Sequence, residues 1–299
     1  MYCPVCERES EGRTRNSGWF SHFVCGSCGT KVLSESRGEP AYPDEYFGND
    51  EEKFRGTAGG IRRFWHEKRS AHLRAVAGTG ASTLYDIGCG DGLFLKSAKG
   101  QGFSIGGLEP MDKAREQAEK KLGCRIDAEP FTSSSAGGFD VVTAWQVIEH
   151  VERPGDLFQQ VHKNLKPGGL FAVSTVNLDS WQARLFGTNW LHLDPPRHLW
   201  VAGRTKVEDL LVRHGFTIVA RRWNHLEFGP VGYVDSLVNL VDPRRDRILK
   251  GLKTGFHGLT DRCAWFAGAL LTPPAILASA LEASAGSPAT FELYARKKP

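Results

Sequence analysis

The sequence predicts an α/β fold in which a mostly parallel sheet carries helices on both faces. Three observations support this prediction. Short apolar runs alternate with helix-like stretches between residues 82 and 223, a glycine-rich turn follows the first apolar run, and two cysteine pairs precede the whole region. Alternation of strands and helices is typical of parallel sheets. A chain of 299 residues can hold one such core and a small accessory module.

The apolar runs place the elements of the core. Strands are expected at residues 83–86, 104–109, 124–127, 140–143 and 170–175. A helix is expected over residues 154–165, because a proline stands near its first turn and a Lys-Pro-Gly-Gly turn follows it. Two further strands are expected at residues 216–222 and 291–296, with a helical insertion over residues 224–288 before the last strand.

The glycine-rich turn is the sharpest functional signal. Residues 86–92 run Asp-Ile-Gly-Cys-Gly-Asp-Gly between an apolar strand and a helix-like stretch. Glycine at positions 88 and 90 lets a ligand approach the backbone and permits positive φ. The spacing differs from the G-x-G-x-x-G of dinucleotide-binding turns. Glu109 ends the next strand, where an acid is placed to accept the ribose hydroxyls of a nucleoside cofactor.

Together with the runs at residues 139–151 and 165–170, this turn resembles the class I S-adenosylmethionine (SAM) dependent methyltransferases. The resemblance covers roughly residues 82–223. It implies a Rossmann-like sheet and SAM as the cofactor. It also implies a set of cofactor-binding residues: Asp86 near the methionine amino group, Gly88 and Gly90 beneath the cofactor with Cys89 between them, Glu109 at the ribose, and Trp145 and Gln146 at the mouth of the substrate pocket.

The segment at residues 177–200 is dense in aromatic, cationic and imidazole groups. Methyl acceptors usually bind here in the resembled family. The Pro-Pro-Arg-His element at 195–198 resembles the one often found at this place in ubiquinone-pathway O-methyltransferases and in enzymes of glycan clusters. His198 and His150 are the candidate general bases, because an imidazole titrates near the working pH; the alternative for each is a hydrogen-bonded core histidine. Trp190 and Arg197 are candidate acceptor-binding residues, and Arg197 would alternatively form a buried ion pair.

The N-terminal cysteines form two C-x-x-C pairs separated by residues 7–24: Cys3 with Cys6, and Cys25 with Cys28. This spacing is typical of a four-cysteine zinc site, and structural Zn would supply the folding free energy that so short a segment lacks. Unliganded or redox-active thiols are the alternative. Residues 1–40 are therefore predicted to be a zinc-ribbon-like module, residues 41–81 a linker and basic helix, and residues 82–299 the SAM-binding domain with its insertion.

Charge and targeting signals limit the partners. Basic residues over 53–74 surround Phe64 and Trp65, which predicts either a solvated helix over the cofactor cleft or a surface for a phosphate-bearing substrate. A net charge of +4 is too small to identify a nucleic-acid binder. The seven cysteines and the absence of a signal-peptide pattern at the start favour a reducing cytoplasm.

The insertion contains an uncharged apolar stretch at residues 263–281, nearly long enough to span a bilayer. Pro273 and Pro274 in its middle argue against one straight helix. Two interpretations stay open. The stretch would form helices that cover the pocket or pair subunits, or it would form a shallow hairpin at the inner face of the membrane, with the basic residues of 244–253 at anionic headgroups.

These signals rank three functions. The first is a SAM-dependent methyltransferase that transfers a methyl group to a small-molecule, sugar, glycan or lipid-linked acceptor, with oxygen as the expected methylated atom. The second is an RNA methyltransferase that uses the zinc ribbon and basic helix to hold nucleic acid, although no aromatic-rich RNA-reading motif accompanies them. The third is a non-enzymatic binding module, which the complete set of Asp86, Gly88, Gly90 and Glu109 disfavours.

Overall fold

The computed structural model describes residues 1–17, 20–36, 57–129, 131, 137–223, 225–242, 248–249, 251 and 259–298. The chain divides into two compact units. The first unit consists of Met1–Tyr42, Thr175–Val207 and Arg222–Phe291, and the second of Pro43–Ser174, Glu208–Arg221 and Glu292–Pro299. Neither unit is therefore a single stretch of sequence. The linker expected before residue 57 and the basic residues expected at 244–253 lie outside the described residues.

Between residues 83 and 222, strands and helices alternate as the apolar pattern predicts. The strands are β1 Tyr2–Cys3, β2 Arg8–Glu9, β3 Gly12–Asn16, β4 Phe20–Cys25, β5 Lys31–Ser36, β6 Thr83–Ile87, β7 Ser104–Leu108, β8 Phe139–Trp145, β9 Leu165–Val176, β10 Trp200–Val201, β11 Phe216–Arg222 and β12 Thr290–Lys297. The helices are α1 Thr57–Ala77, α2 Leu93–Gly100, α3 Asp112–Leu122, α4 Pro154–Asn164, α5 Trp181–Phe186, α6 Arg204–Arg213, α7 His225–Asn239 and α8 Leu259–Ser284.

The second unit is organised around a six-stranded sheet of order β11-β12-β9-β8-β6-β7. Strand β6 pairs in parallel with β7 and β8, and β8 pairs in parallel with β9. The predicted α/β sheet is thus confirmed. The strand expected at 124–127 is not formed as predicted. Asp127 alone makes a parallel bridge to Leu108, because its backbone N–H bonds Gly107 and its carbonyl bonds the N–H of Glu109.

A buried ion pair fixes α1 to the sheet of this unit. Arg69 on α1 donates from Nε to Oε1 of Glu292 on β12 at 2.9 Å, and the two side chains are only 4% and 1% exposed. The hydroxyl of Tyr294 donates to the other carboxylate oxygen at 2.7 Å. The Arg69 guanidinium also lies 5.1 Å from the ring centroid of Trp145. Both charges are therefore partnered without water.

The first unit contains a four-stranded sheet of order β10-β5-β4-β3 and a two-stranded sheet of β1 and β2. All of its strand pairs are antiparallel. The short strand β10 pairs with β5 through Trp200 opposite Val32 and Val201 opposite Lys31. The N-terminal sheet is therefore completed by a strand from the middle of the chain.

Helices α7 and α8 of the first unit pack against each other. Helix α8 continues through Pro273 and Pro274, contrary to the expectation that they would interrupt it. Prolines at these positions free the carbonyls of Ala269 and Leu270 four residues earlier. Both of those residues are exposed, so water can bond the freed oxygens. Exposure on this face explains why the helix tolerates two prolines.

The buried pair in the second unit generates a stability prediction. Arg69→Met should lower the free energy of unfolding by about 3–5 kcal/mol, because it leaves the Glu292 carboxylate buried without a counter-charge. Adding Glu292→Gln should recover part of that loss. Chemical denaturation measures both effects.

The matched control for this prediction is the ion pair of Arg221 and Glu208, in which Arg221 is 44% exposed. Arg221→Met should cost less than about 1 kcal/mol, because exposed pairs contribute little. Equal losses in Arg69→Met and Arg221→Met would contradict the assignment of the buried pair as a stabilising contact.

Candidate functional site

The turn between β6 and α2 depends on two glycines for different reasons. Gly88 and Gly90 have φ values of 69° and 55°, which other residues rarely adopt. A Cβ atom on Gly88 would also lie 2.7 Å from Cγ2 of Val147, whereas one on Gly90 would meet no atom within 4 Å. Gly88 is therefore required for packing as well as conformation. The open space beside Gly90 leaves its backbone accessible to a ligand.

Glu109 follows β7 and is held rigidly at its end. Its two carboxylate oxygens accept hydrogen bonds of 2.9 Å from the backbone N–H groups of Gly90 and Met111. The residue is only 5% exposed, and burial raises the pKa of its carboxyl while these two bonds oppose that rise. Each oxygen keeps a further lone pair, so the carboxylate can still accept hydroxyl groups of a ligand.

Asp86 lies inside β6 and is 2% exposed. The hydroxyl of Thr143 on β8 donates to its Oδ1 at 2.6 Å. Burial raises the pKa of Asp86 to about 7, although the Thr143 hydrogen bond and the charge of Arg69 oppose the rise. Its carboxyl group is therefore close to the balance between its neutral and charged forms at physiological pH.

Cys89 and Trp145 face the core of the second unit. Cys89 is 7% exposed, and burial raises the pKa of its thiol far above the ordinary value, so it is not a reactive thiolate. The Trp145 ring lies 5.2 Å from that of Phe94, and its buried Nε1 has no hydrogen-bond partner among the described residues. Their contacts with the cofactor stay predictions.

Gln146 occupies the end of β8 in a left-handed conformation, with φ of 54°. Its backbone N–H and its side-chain amide both lie 3.1 Å from the Ser174 hydroxyl at the end of β9. Because β6, β7 and β8 are adjacent and parallel, the ends that carry Asp86, Glu109 and Gln146 meet at one edge of the sheet. Ligands of open α/β sheets bind outside this carboxyl edge.

Thr143 is a residue that motif reasoning missed, whereas Arg62 belongs to the basic residues of 53–74, for which a solvated helix or a phosphate-binding surface was expected. Thr143 stands directly opposite Asp86 in the register of β6 and β8, and this register is the signal that could have identified it. Arg62 donates two hydrogen bonds to Asp91, of 3.0 and 2.7 Å, and Lys121 pairs with the same carboxylate. Arg62 therefore anchors α1 to the glycine turn, which favours a structural role for this part of the basic helix.

The two candidate bases belong to different units. His150 ends a short 3-10 turn, Ile148–His150, in the second unit and is half-buried. His198, in the first unit, has Nδ1 2.8 Å from the carbonyl of His192 and Nε2 3.9 Å from Oδ2 of Asp194. A neutral ring that donates from Nδ1 presents Nε2 as its acceptor atom. The bond to the His192 carbonyl thus leaves Nε2 of a neutral His198 ring as the atom that would accept a proton, and its catalytic role stays a prediction.

The candidate acceptor-binding residues make internal contacts in the first unit. The Arg197 guanidinium pairs with the carboxylate of Asp194, so the ion pair that the sequence left open is present. Trp190 is fully buried and donates from Nε1 to Oε1 of Gln182 at 3.4 Å. The structure gives Trp190 a packing role, and its contact with an acceptor stays a prediction.

The N-terminal cysteines converge on one point. The Sγ atoms of Cys3 and Cys28 lie 3.6 Å apart, those of Cys6 and Cys25 lie 3.7 Å apart, and all four lie within 4.8 Å of one another. A tetrahedron with Zn–S bonds of about 2.3 Å has S–S edges of about 3.8 Å. The sulfur positions therefore fit a tetrahedral ion, which supports the zinc interpretation.

Similar turns build both cysteine pairs. The N–H of Glu7 donates to the Cys3 carbonyl and the N–H of Gly29 donates to the Cys25 carbonyl, each at 2.8 Å. Glu7 and Gly29 have positive φ values of 58° and 77°. The same local geometry thus presents two thiols from each side of the site.

Comparison with known proteins gives a family. A family model described as a methyltransferase domain matches residues 55–221. Two curated relatives are each described as a ubiquinone biosynthesis O-methyltransferase. The one from Caulobacter vibrioides is 41% identical over 103 residues, which is 32% of this chain and 41% of the relative. The one from Pseudomonas paraeruginosa is 34% identical over 109 residues, which is 34% of this chain and 47% of the relative. The chain thus spans less than half the length of these relatives.

Solved structures share the fold. An O-methyltransferase from a trans-AT PKS multienzyme of Brevibacillus brevis, in complex with S-adenosyl-L-homocysteine, has a TM-score of 0.52 at 14% identity, covering 90% of this chain and 84% of that one. The [4+2]-cyclase SpnF also has a TM-score of 0.52, at 20% identity, covering 84% and 85%. These likenesses show the fold alone, and the cyclase shows that this fold serves other reactions. The family match, by contrast, spans more than half of the 299 residues, including the glycine turn, Glu109 and Gln146, and so the chain belongs to the methyltransferase domain family.

Proposed function

We propose that this protein is a SAM-dependent methyltransferase that methylates an oxygen atom of a small molecule. The observation that carries the proposal is the rigid Glu109 carboxylate beside the open backbone of Gly90 at the carboxyl edge of the sheet. The names of the curated relatives support oxygen as the methylated atom. The family match and these relatives give no support to the RNA alternative.

The residues present fit SAM. The free lone pairs of Glu109 would accept the ribose hydroxyls, and the Asp86 carboxylate would attract the methionine ammonium group. The positive φ of Gly90 and the space beside it allow a cofactor to lie against the backbone. When bound, SAM supplies an electrophilic methyl group. The protein's part is to orient the acceptor hydroxyl toward it and to take up the hydroxyl proton.

His198 is the proposed base, because its geometry leaves Nε2 as the proton-accepting atom. His150 is the alternative. His198→Ala should lower kcat by about 100-fold or more without changing SAM affinity. If His198→Ala and His150→Ala both keep normal turnover, orientation of the acceptor carries the reaction instead.

Methyl transfer from isotopically labelled SAM tests the proposed function. Purified protein is incubated with separated pools of host metabolite, lipid, RNA and protein. Label is expected in soluble metabolites or in lipid, with loss of the label when Asp86→Asn replaces the native protein. Label in RNA alone, or label that is unchanged in Asp86→Asn, would overturn the proposal.

The elevated pKa of Asp86 predicts a pH dependence of SAM binding. The protonated carboxyl cannot pair with the ammonium group, so affinity should fall as pH drops below about 7 and approach a tenfold loss per pH unit. The SAM amino group gains protons as the pH falls, which would strengthen binding, so it does not produce this trend. Calorimetric titrations from about pH 7.5 to 6 measure the slope. Asp86→Asn should bind weakly with no such slope, and an equal slope in both proteins would exclude Asp86 as its source.

We also propose that the four cysteines hold structural zinc. Elemental analysis should find zinc at close to equimolar amounts, and Cys28→Ser should lose it along with thermal stability, because zinc binding contributes free energy to folding. Cys124→Ser is the matched control, since Cys124 lies outside the cysteine cluster. Native protein purified without metal, but equally stable, would favour the alternative of unliganded thiols.

The finer proposal for the acceptor is a glycan or lipid-linked molecule, with peripheral contact between the protein and a membrane. Residues Trp265–Ser284 of α8 have a mean hydropathy of 1.4, and only 28% of the apolar window is buried. Phe266, Leu270 and Leu277 are each more than 60% exposed. The exposed carbonyls near Pro273 favour the headgroup region over the hydrocarbon core. Sedimentation with anionic liposomes at low salt decides, since failure to bind would exclude this contact.

A further inference from the structure

One face of the N-terminal sheet forms the floor of a narrow pocket in the first unit. His22 on β4 is paired with Leu33 on β5, and Lys31 on β5 is paired with Val201 on β10. Paired residues of antiparallel strands project to the same face, and Lys31 and Leu33, two residues apart on β5, also share a face. The His22 and Lys31 side chains therefore lie on the same face of the sheet. The remaining lining residues are Phe20, Leu193, Pro195, His198 and Trp200. The pocket thus combines apolar walls with three nitrogen-bearing side chains.

His22 lacks hydrogen-bond partners in this pocket. It is 2% exposed, yet neither of its ring nitrogens has a hydrogen-bond partner in the part of the chain that the structure describes. Its ring stacks on that of Phe20, with centroids 6.1 Å apart. Leaving a buried polar group unpaired is unfavourable, so native proteins rarely keep one without a use. A group that enters the pocket would recover this cost.

The charges around the pocket favour an anion. Lys31 supplies a positive charge to the lining, which contains no acid. No carboxylate among the described residues lies within ion-pair distance of the Lys31 ammonium group. Burial, together with the positive charges of Lys31 and Arg15, lowers the pKa of His22 to about 4. The nearby Asp194 carboxylate lies 3.9 Å from Nε2 of His198 and pairs with Arg197, so it is already neutralised.

We propose that this pocket binds one oxyanion group of a small molecule, with His22 and Lys31 as its hydrogen-bond donors. The pocket holds only about 10 Å³, roughly the space of one water molecule, so it takes one oxygen atom of a carboxylate or phosphate rather than a whole ligand. The apolar walls strengthen a charge-assisted hydrogen bond by excluding water. The N-terminal sheet would then have a binding role in addition to holding the cysteines. Nothing in this proposal requires methyl transfer.

The test uses the full chain, with histidine labelled for NMR, and inorganic phosphate or benzoate as the probe in the absence of SAM. Saturable shifts of the His22 ring signals are expected with at least one probe, and the tighter probe identifies the anion class. Lys31→Met should weaken binding by about tenfold or more, the effect of losing one charge-assisted hydrogen bond. His22→Phe, which keeps the stacking on Phe20, should abolish it.

Arg13→Met is the matched control, because it removes one positive charge from exposed β3 of the same sheet and does not line the pocket. It should leave binding unchanged. Zinc content and thermal unfolding of each variant verify folding, and Lys31→Met alone decides if His22→Phe fails to fold. The proposal is overturned if His22 signals do not respond to either anion, if neutral glycerol shifts them equally well, or if Arg13→Met weakens binding as much as Lys31→Met. SAM affinity is measured on the same variants. A loss of anion binding with unchanged SAM affinity concerns this pocket alone and leaves the proposed methyl transfer untouched.

Discussion

The buried pair of Arg69 and Glu292 is the contact on which the second unit depends. Two charges without water are tolerated only where every polar atom is matched, and here Tyr294 takes the second carboxylate oxygen while the Trp145 ring faces the guanidinium. The pair joins α1 to β12, whose Glu292 lies 223 residues further along the chain than Arg69. Because Trp145 precedes Gln146, the same contact also steadies the end of β8 where the proposed cofactor site begins.

Much of this arrangement could be predicted from local sequence. The strands of the six-stranded sheet, the α4 helix and the positions of Asp86, Gly88, Gly90 and Glu109 follow from apolar runs and turn residues, which act over a few neighbours. The predictions that were wrong concern residues whose conformation depends on contacts with distant parts of the chain. Residues 124–127 form only one bridge, because the edge strand receives Asp127 alone. Pro273 and Pro274 were expected to argue against one straight helix. Helix α8 nevertheless continues through them, because it packs on α7 and because Ala269 and Leu270 are exposed to solvent.

The site shows the same division between local and distant effects. Position in a motif places Asp86 correctly, but its pKa near 7 comes from burial, and the hydrogen bond from Thr143 on a neighbouring strand opposes that rise. Trp190 and Arg197 stood out by residue type, and the structure shows their partners. Trp190 bonds the buried side-chain amide of Gln182, and Arg197 pairs with Asp194. Residue type therefore identified a region, whereas assignment of roles requires the contacts. The cyclase with the same fold likewise shows that a fold alone does not identify the reaction.

The pairing of β10 with β5 limits how this protein could be rearranged in evolution or in the laboratory. A cysteine-bearing segment of this size would ordinarily be treated as a cassette that can be removed or exchanged. Here its sheet includes Trp200 and Val201. Cutting the chain after residue 40 would strip those residues of their backbone partners and expose an unpaired strand edge, which invites aggregation. The N-terminal segment and the region around residue 200 therefore have to be inherited together.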